Sequence, residues 1–363
     1  MKSLVLVPYC PWPPDTGTRV EMMKHLDVLK DLGECTIVSA RQKPVGFGWD
    51  EKSINVLKER GFSLLFRETS QRFTVLNILG SLYALVCKSL KLDKAFGHSN
   101  PYHRWAFSRK WLNSLSKGYD LCCMHYGFWS DFDVQCPKAV VVHELLSNYH
   151  WENYSKEVKD FKKSNLIIVV GHDEEVTLRK RGLTSVLWSP PAVKCNQYPV
   201  NAKVGLIGTK APQNLDGLRW LEQAENYGTL RIHVFGNLAD ELKKPNFEPV
   251  GRYGAQSEPY AKCGILLLTR PDRPGLQIKA VEALAYGRVI IARKGSMRGL
   301  PEGKDAWITV ETPEEMIQVA KRLEMNPKER EQLAIRSREY YMKYLNYDLI
   351  IQELREAYLS LLK

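Results

Sequence analysis

The stretch that most constrains the fold of this chain is residues 263–292, which read CGILLLTRPDRPGLQIKAVEALAYGRVIIA. It contains two apolar runs of strand length, at residues 265–268 and 289–292. Between them lie a proline-rich loop and a helical pattern over residues 276–286, which Gly287 ends. Two short apolar strands joined by a helix are typical of a parallel βαβ crossover. The stretch therefore predicts an α/β fold built on parallel sheets.

The predicted helix is apolar on almost all sides, so we expect it to be buried. It carries two opposite charges, Lys279 and Glu282, which lie three residues apart and share one face. Buried charges destabilise a fold unless they have partners. One interpretation is that Lys279 and Glu282 pair with each other. The functional interpretation is that they bind a ligand.

The functional interpretation depends on the loop at residues 270–275, which follows a predicted parallel strand. The carboxyl ends of such strands are where open α/β sheets bind ligands. The loop carries Arg270 and Arg273 and ends at a helix N-terminus, whose free amides attract phosphate. A lysine and a glutamate one turn apart behind such a loop suit a nucleotide diphosphate. The lysine would meet the phosphates, and the glutamate would meet the ribose hydroxyls.

The segment GLQIKAVEALAYG, followed by VIIA, resembles the donor-nucleotide signature of retaining GT-B glycosyltransferases of the large family-4 branch. The resemblance places Lys279 on the second lysine of that signature and Glu282 on its ribose-binding glutamate. It also implies that the amides near Gly275 and Leu276 help to neutralise the donor diphosphate, with Arg270 as a further candidate.

Two positions depart from that signature. Gln277 stands where a first lysine is common, and Pro274 stands where many members carry another glutamate. These departures leave open an alternative to an enzyme, namely a protein that binds a sugar nucleotide without catalysis.

A second motif is the proline-rich loop at residues 9–19, which follows a predicted strand at residues 3–8. Its prolines fix the backbone and remove amide donors, so the loop is neither helix nor inner strand. It resembles the opening of the same family, in which a glycine lets the loop approach donor phosphates and acceptor. The resemblance assigns Gly17 and Arg19 to the catalytic site. The alternative is a stiff turn with Thr16 or Thr18 as the N-cap of the following helix.

A third candidate is His143, which directly follows the apolar run at residues 139–142. A lone histidine is more often a packed structural residue, but the carboxyl edge of a strand favours a functional one. The segment VVVHE resembles the family segment in which a His or Asp lies against the donor sugar. The resemblance therefore implies that His143 contacts the sugar.

The second half of the chain opens with a strand pattern at residues 203–208, a glycine-led turn and a helix. The turn presents Gly208, Thr209 and Lys210 at the end of that strand. Lys210 is either a phosphate contact or a solvated loop lysine. The segment resembles the family opening of the donor domain, and the matching positions are Pro212, Asn214 and Asp216.

These patterns and the resemblance predict two facing Rossmann-like α/β/α domains of the GT-B class, with the active site in the cleft between them. Residues 1–191 would form the acceptor-side domain and residues 192–202 a linker. Residues 203–345 would form the domain that binds the nucleotide sugar. The last helix, at residues 346–363, would cross back to the first domain.

The composition limits the class of protein and of partner. Hydrophobic residues make up 44% and charged residues 26% of the 363 residues, which is typical of a globular protein. A net charge of +11 and a pI of about 9.1 favour an anionic partner, namely a nucleotide sugar, an anionic membrane surface or nucleic acid. No run of about eighteen apolar residues is present, so we expect no transmembrane segment. We expect a cytoplasmic protein, free or peripheral at the inner face of a membrane.

Residues 88–117 carry seven basic side chains against one acidic side chain, Asp93. A solvated surface is the usual reason for such a run. An acceptor-facing surface is the alternative, and it would suit lipid headgroups or a nucleic-acid backbone. The basic residues are Lys88, Lys91, Lys94, Arg104, Arg109, Lys110 and Lys117.

The resemblance therefore implies a retaining glycosyltransferase that moves a sugar from a UDP- or GDP-linked donor to an acceptor hydroxyl of a glycan or lipid-linked saccharide. The sequence shows no metal-binding cluster and no candidate carboxylate nucleophile, and the resemblance to GT-B enzymes implies that neither is needed. We therefore expect a metal-independent enzyme without a cofactor. A viral-type transferase that decorates hydroxylated bases in duplex DNA is the alternative acceptor class.

Overall fold

The computed structural model describes residues 1–40, 48–67, 75, 79, 107–149, 154–194, 196, 198–303 and 305–363. These residues form two compact units. The first comprises Met1–Pro191 with Ile350–Lys363, and the second comprises Ala192–Leu349. The basic residues Lys88, Lys91, Lys94 and Arg104 of the predicted basic run lie outside the described residues.

The first unit is built on a sheet of seven parallel strands in the order β3-β2-β1-β4-β5-β6-β7. The strands are β1 Lys2–Leu6, β2 Glu34–Ala40, β3 Ser63–Arg67, β4 Leu121–His125, β5 Lys138–Val142, β6 Leu166–Val169 and β7 Val186–Trp188. Its first five described helices are α1 Gly17–Asp31, α2 Glu51–Glu59, α3 Arg109–Ser116, α4 Tyr154–Phe161 and α5 His172–Lys180. The strand order reverses between β1 and β4.

Both faces of this sheet are buried, which explains why its strands read as continuous apolar runs. In β1 and just beyond it, Leu4 and Leu6 pack into one hydrophobic cluster, while Val5 and Val7 pack into another on the opposite face. Successive side chains of a strand point to opposite faces, so a fully apolar strand supplies both layers.

The second unit is built on six parallel strands in the order β10-β9-β8-β11-β12-β13. The strands are β8 Val204–Ile207, β9 Ile232–Phe235, β10 Phe247–Gly251, β11 Ile265–Leu268, β12 Val289–Arg293 and β13 Ile308–Val310. The helices are α6 Pro212–Leu221, α7 Glu258–Lys262, α8 Ile278–Ala285, α9 Pro313–Met325 and α10 Pro327–Tyr344, and α11 Tyr347–Ser360 ends the chain's helices. The predicted α/β class with two Rossmann-like units is confirmed.

The crossover predicted from residues 263–292 is present as β11, α8 and β12. Ile265 pairs with Val289, and the parallel register continues along both strands. The helix begins at Ile278, two residues later than predicted, because Gly275 turns the backbone with a φ of +85° before it. Gly287, with a φ of +60°, ends it in the left-handed conformation that helix ends favour.

The part of the predicted basic surface that the structure describes is not purely solvated. Arg109 at the start of α3 forms an ion pair with Asp131, and its guanidinium lies 4.9 Å from the ring centroid of Phe132. The charge of Arg109 is therefore committed within the first unit. None of the described helices has the length and apolar character that crossing a lipid bilayer requires.

Helix α1 is fixed in the first unit by charges that are buried under it. Lys24 Nζ lies 2.6 Å from Glu21 Oε1, and it donates hydrogen bonds to the carbonyl oxygens of Ser189 and Pro190. Both charged side chains are almost fully buried, and burial lowers the pKa of Lys24. The ion pair thus ties α1 to the segment that follows β7.

Replacing Lys24 with methionine should destabilise the first unit by about 3–5 kcal/mol, because it leaves the Glu21 carboxylate buried without its ammonium partner. Urea unfolding of the parent and the variant, followed by circular dichroism, measures this loss. The matched control is Lys2→Met, since Lys2 pairs with Glu34 on an exposed surface at 3.5 Å. The control should change stability by less than about 1 kcal/mol. Equal effects of the two substitutions would contradict the structural role of Lys24.

Candidate functional site

The second unit has a small pocket at the place where its strand order reverses. The pocket lies at the carboxyl ends of β8 and β11, which are neighbours in the sheet although β9 and β10 come between them in sequence. Such a switch point is the usual ligand site of an open α/β sheet. The lining residues are Leu206, Ile207, Asn214, Leu238, Leu267, Leu268, Thr269, Arg270, Gln277 and Lys279.

Lys279 projects into this pocket from the first turn of α8. Its ammonium donates hydrogen bonds to the carbonyl oxygen of Ile207 at 2.6 Å and to Asn214 Oδ1 at 3.0 Å. An ammonium has three protons, so these two bonds leave one donor for a ligand. Burial lowers the pKa of Lys279 to about 8, against the opposing effect of the Glu282 carboxylate. An anion in the pocket would stabilise the charged form.

Glu282 lies one turn further along α8 and is buried. Its two carboxylate oxygens accept hydrogen bonds from Gln256 Nε2 and from the hydroxyl of Tyr260. Burial raises its pKa, while these two donors and Lys279 act in the opposite direction. Within the described residues, Lys279 and Glu282 therefore have separate hydrogen-bond partners, and the interpretation that they simply pair with each other does not account for them.

Gln277 and Pro274, the two residues that depart from the family signature, both contribute hydrogen bonds that hold the loop before α8. Gln277 is buried and donates to the carbonyl oxygen of Ser296 at 2.6 Å. Ser296 in turn donates to the carbonyl oxygen of Leu268 at 2.9 Å, at the end of β11. Arg270 donates to the carbonyl oxygen of Pro274 at 2.5 Å. Gln277 and Pro274 thus contribute to the shape of the loop that carries Gly275 and Leu276.

The turn after β8 places its three predicted residues in different surroundings, with Gly208 buried and Thr209 and Lys210 exposed. A Cβ atom at Gly208 would lie 2.6 Å from Leu238 Cδ2, so any other residue there would force the buried Leu238 side chain to move. Thr209 accepts hydrogen bonds from the side chain of Asn214 through its carbonyl and hydroxyl oxygens. Lys210 forms ion pairs with Asp240 at 3.2 Å and Glu241 at 3.0 Å. A phosphate at Lys210 would have to compete with these two carboxylates.

The first unit also has polar side chains at its switch point, beyond β1 and β4. The hydroxyl of Tyr9 lies 2.9 Å from the hydroxyl of Tyr126. Tyr126 has a φ of +69°, which is rare for a residue with a side chain and is often found at functional sites. Its ring stacks on that of His143, with centroids 4.4 Å apart. The structure therefore brings His143 and the start of the proline-rich loop together.

His143 follows β5, as predicted, and its Nε2 lies 3.1 Å from Nδ1 of His125 at the end of β4. Burial is the main cause that lowers the pKa of His143 to about 3. The imidazole is therefore neutral at physiological pH and acts as a hydrogen-bonding group, not as a cation.

Gly17 is the first residue of α1, and the preceding Thr16 makes no side-chain cap. The alternative of a threonine cap from Thr16 is therefore not what the structure shows. Arg19 donates to Asp15 Oδ1 at 2.8 Å, so its guanidinium is held within its own loop. Gly17, Arg19 and His143 belong to the first unit, whereas the predicted donor residues belong to the second.

Four residues of the two sites were absent from the predicted set. Gln256 and Tyr260 bind Glu282, and His125 and Tyr126 contact His143. The position of His125 and Tyr126 at the end of a predicted strand is a signal that could have found them. Gln256 and Tyr260 lie before and in a short helix and have no such signal. Among the described residues, no three side chains of the types that bind metals converge.

Comparisons with a protein-family model and with solved structures agree with the two-unit α/β fold described above. Residues 217–356 match a family model described as glycosyl transferase-like. No curated protein sequence matches the chain. The fold is similar to that of HepE from Anabaena in complex with UDP, with a TM-score of 0.69 and 13% identity over 99% of this chain and 100% of that one.

Two further solved structures have the same fold. A glycosyltransferase from Rickettsia africae has a TM-score of 0.67 and 11% identity over 100% of this chain and 99% of that chain. Sucrose-phosphate synthase from Thermosynechococcus elongatus has a TM-score of 0.65 and 14% identity over 99% of both chains. The resemblance to GT-B glycosyltransferases is therefore confirmed at the level of the fold, and the glycosyl transferase-like model over residues 217–356 supports the prediction of a glycosyltransferase.

The loop that begins at His143 is anchored by a buried acid. Glu174 Oε1 accepts a hydrogen bond from the backbone amide of Leu145 at 3.0 Å. Burial raises the pKa of Glu174 from 4.5 to about 8. The folded state therefore binds this proton more tightly than the unfolded state. The resulting stabilisation is complete below about pH 4.5 and is lost as the pH rises through about 8.

Replacing Glu174 with glutamine should remove this dependence, because the amide oxygen accepts the same bond and carries no charge. The thermal midpoint of the parent should fall, relative to that of the variant, as the pH rises from about 4.5 to about 8, and the difference should stay constant above that. The control is Glu175→Gln, because the Glu175 carboxylate of the parent pairs with Arg179 on the surface of the same helix. Parallel midpoint curves for the parent and Glu174→Gln would rule out ionisation of Glu174 in this range.

Proposed function

We propose that the protein transfers a sugar from a nucleotide diphosphate sugar to an acceptor hydroxyl, with retention of the anomeric configuration. The observation that carries the proposal is the ammonium of Lys279, held at the switch point of the second unit with one donor left for an anion. Solved structures of HepE in complex with UDP and with UDP-glucose support a UDP-linked donor, and a GDP-linked donor is the alternative.

In this proposal the second unit binds the nucleotide. Lys279 neutralises the diphosphate, together with the amides near Gly275 and Leu276, and Arg270 adds positive charge. Glu282 accepts hydrogen bonds from the ribose hydroxyls. A carboxylate has about four acceptor positions, so the bonds from Gln256 and Tyr260 leave capacity for the ribose.

The first unit supplies His143, which contacts the sugar as a neutral hydrogen-bonding group. The rate enhancement comes from stabilising charge on the leaving diphosphate and from orienting the sugar. No metal ion is part of this proposal. The proposed acceptor is a glycan or a lipid-linked saccharide, and the basic surplus of the chain favours one with negative charge.

Replacing Glu282 with alanine should weaken the binding of UDP-glucose by about 1–3 kcal/mol, because a buried charged hydrogen bond to the ribose is lost. Isothermal titration calorimetry on the folded variant measures the change. The matched control is Glu258→Ala, since Glu258 pairs with Lys262 on the surface of α7. Parent-like affinity of a folded Glu282→Ala variant would remove Glu282 from the donor site.

Lys279 should make diphosphate binding dependent on pH. Because its pKa is about 8, the affinity of the parent for UDP should fall towards about tenfold per pH unit above that value. Lys279→Met should bind UDP weakly already at pH 7.5 and show no further loss up to pH 9.5. Uridine, which has no phosphate, serves as the control ligand. Equal losses for uridine and UDP in the variant would contradict a phosphate contact.

A further inference from the structure

Three histidine rings form a row inside the first unit. The ring centroids of His25 and His125 lie 5.3 Å apart, as do those of His125 and His143. His25 and His125 are fully buried, and His143 is partly buried. The central ring, His125, has no role in the function proposed above.

The row contains one hydrogen bond between imidazoles, from His125 Nδ1 to His143 Nε2 or in the reverse direction, at 3.1 Å. Burial holds the pKa of both rings far below the usual value, so both are neutral. A neutral imidazole has one N–H group. The direction of this bond therefore decides which nitrogen of His143 carries its proton.

His25 does not provide a hydrogen-bond partner for His125. Its Nε2 lies 3.0 Å from Glu21 Oε1, and its Nδ1 lies 2.6 Å from the hydroxyl of Tyr358 on α11. Both nitrogens of His25 thus have partners, and Nε2 of His125 is buried without one. The nearest charges, Glu21 and Lys24, form an ion pair with each other.

The unpartnered nitrogen decides the direction of the bond. If His125 accepted from His143, its own proton would stand on Nε2, as a buried N–H without an acceptor. Orphaned N–H groups are rarer in proteins than acceptors with unused lone pairs. His125 Nδ1–H therefore donates to His143 Nε2, and the proton of His143 stands on Nδ1. Within the described residues, no partner occupies Nδ1 of His143.

We propose that His125 is a positioning residue that fixes His143 as the Nδ1–H tautomer. His143 then offers an N–H donor to an oxygen atom of the donor sugar, and this second part rests on the proposed function. The stacking of His143 on Tyr126 fixes the plane of the ring, and the bond from His125 fixes its proton.

Nitrogen-15 NMR of the full chain, labelled at histidine, tests the tautomer directly. The chain has eight histidines, and the resonances of His143 are assigned by their loss in His143→Gln. We expect a neutral ring with its proton on Nδ1 throughout pH 6 to 9. A proton on Nε2, or an imidazolium in this range, would overturn the proposal.

Two variants of nearly the same size as each other, His125→Asn and His125→Asp, distinguish a positioning role of His125 from a role in packing alone. His125→Asn retains an N–H donor near the position of Nδ1, and should preserve the Nδ1–H tautomer of His143. His125→Asp offers only acceptors, and should move the proton of His143 to Nε2 or charge the ring. His233→Gln, in the second unit, is the control and should leave the spectrum of His143 unchanged. If both His125 variants fail to fold, the spectrum of the parent still decides the tautomer.

The functional part is tested with the nucleotide sugar that the parent hydrolyses fastest among UDP- and GDP-linked sugars. His125→Asn should retain at least about half of the parent kcat, and His125→Asp should lose about tenfold or more with little change in KM. Equal rates of the two folded variants would overturn the positioning role. A parent that hydrolyses none of these donors would refute the proposed function, and the NMR result would still decide the tautomer.

Discussion

The carbonyl oxygen of Ile207, at the end of β8, accepts a hydrogen bond from the ammonium of Lys279. This bond makes the candidate site of the second unit a direct product of its fold. A parallel strand ends with carbonyl groups that have no further partner in the sheet, and a buried carbonyl without a hydrogen bond is unfavourable. Lys279 satisfies this carbonyl, and Asn214 from α6 fixes the same ammonium from a second direction. A single cation thus links a strand, two helices and the pocket.

The sequence was sufficient where a pattern repeats over several residues. The strand at residues 265–268 was predicted with its observed bounds, because a four-residue apolar run next to a proline-rich loop is too short for a helix. The helix Tyr154–Phe161 and the three-residue strand Ile308–Val310 were not predicted. Such short elements are stabilised by their neighbours in the tertiary structure, and their own sequences carry little periodic signal.

The candidate site was predictable in its positions but not in its partners. The spacing of Lys279 and Glu282 predicted both charges within one turn of a single helix, and both residues lie in α8. The same spacing allowed them to pair with each other, and only the structure shows Tyr260 as a partner of Glu282. Lys210 shows the same limit, because Asp240 and Glu241 lie thirty residues further along the chain. Contacts between distant segments decide whether a predicted cation is available to a ligand.

The two units accommodate buried titratable side chains differently: one keeps a charged side chain and the other keeps neutral rings. This difference matches the proposed chemistry. In the second unit, the pKa of Lys279 is about 8, so its side chain is still largely charged at neutral pH. A bound diphosphate would stabilise this charged form. In the first unit, burial keeps His125 and His143 neutral, and their direction is set by one hydrogen bond. A leaving diphosphate is stabilised by fixed positive charge, whereas a sugar hydroxyl is recognised by oriented donors and acceptors. In the proposed function, the desolvation that keeps His143 neutral suits its ring to a hydrogen bond with a sugar hydroxyl.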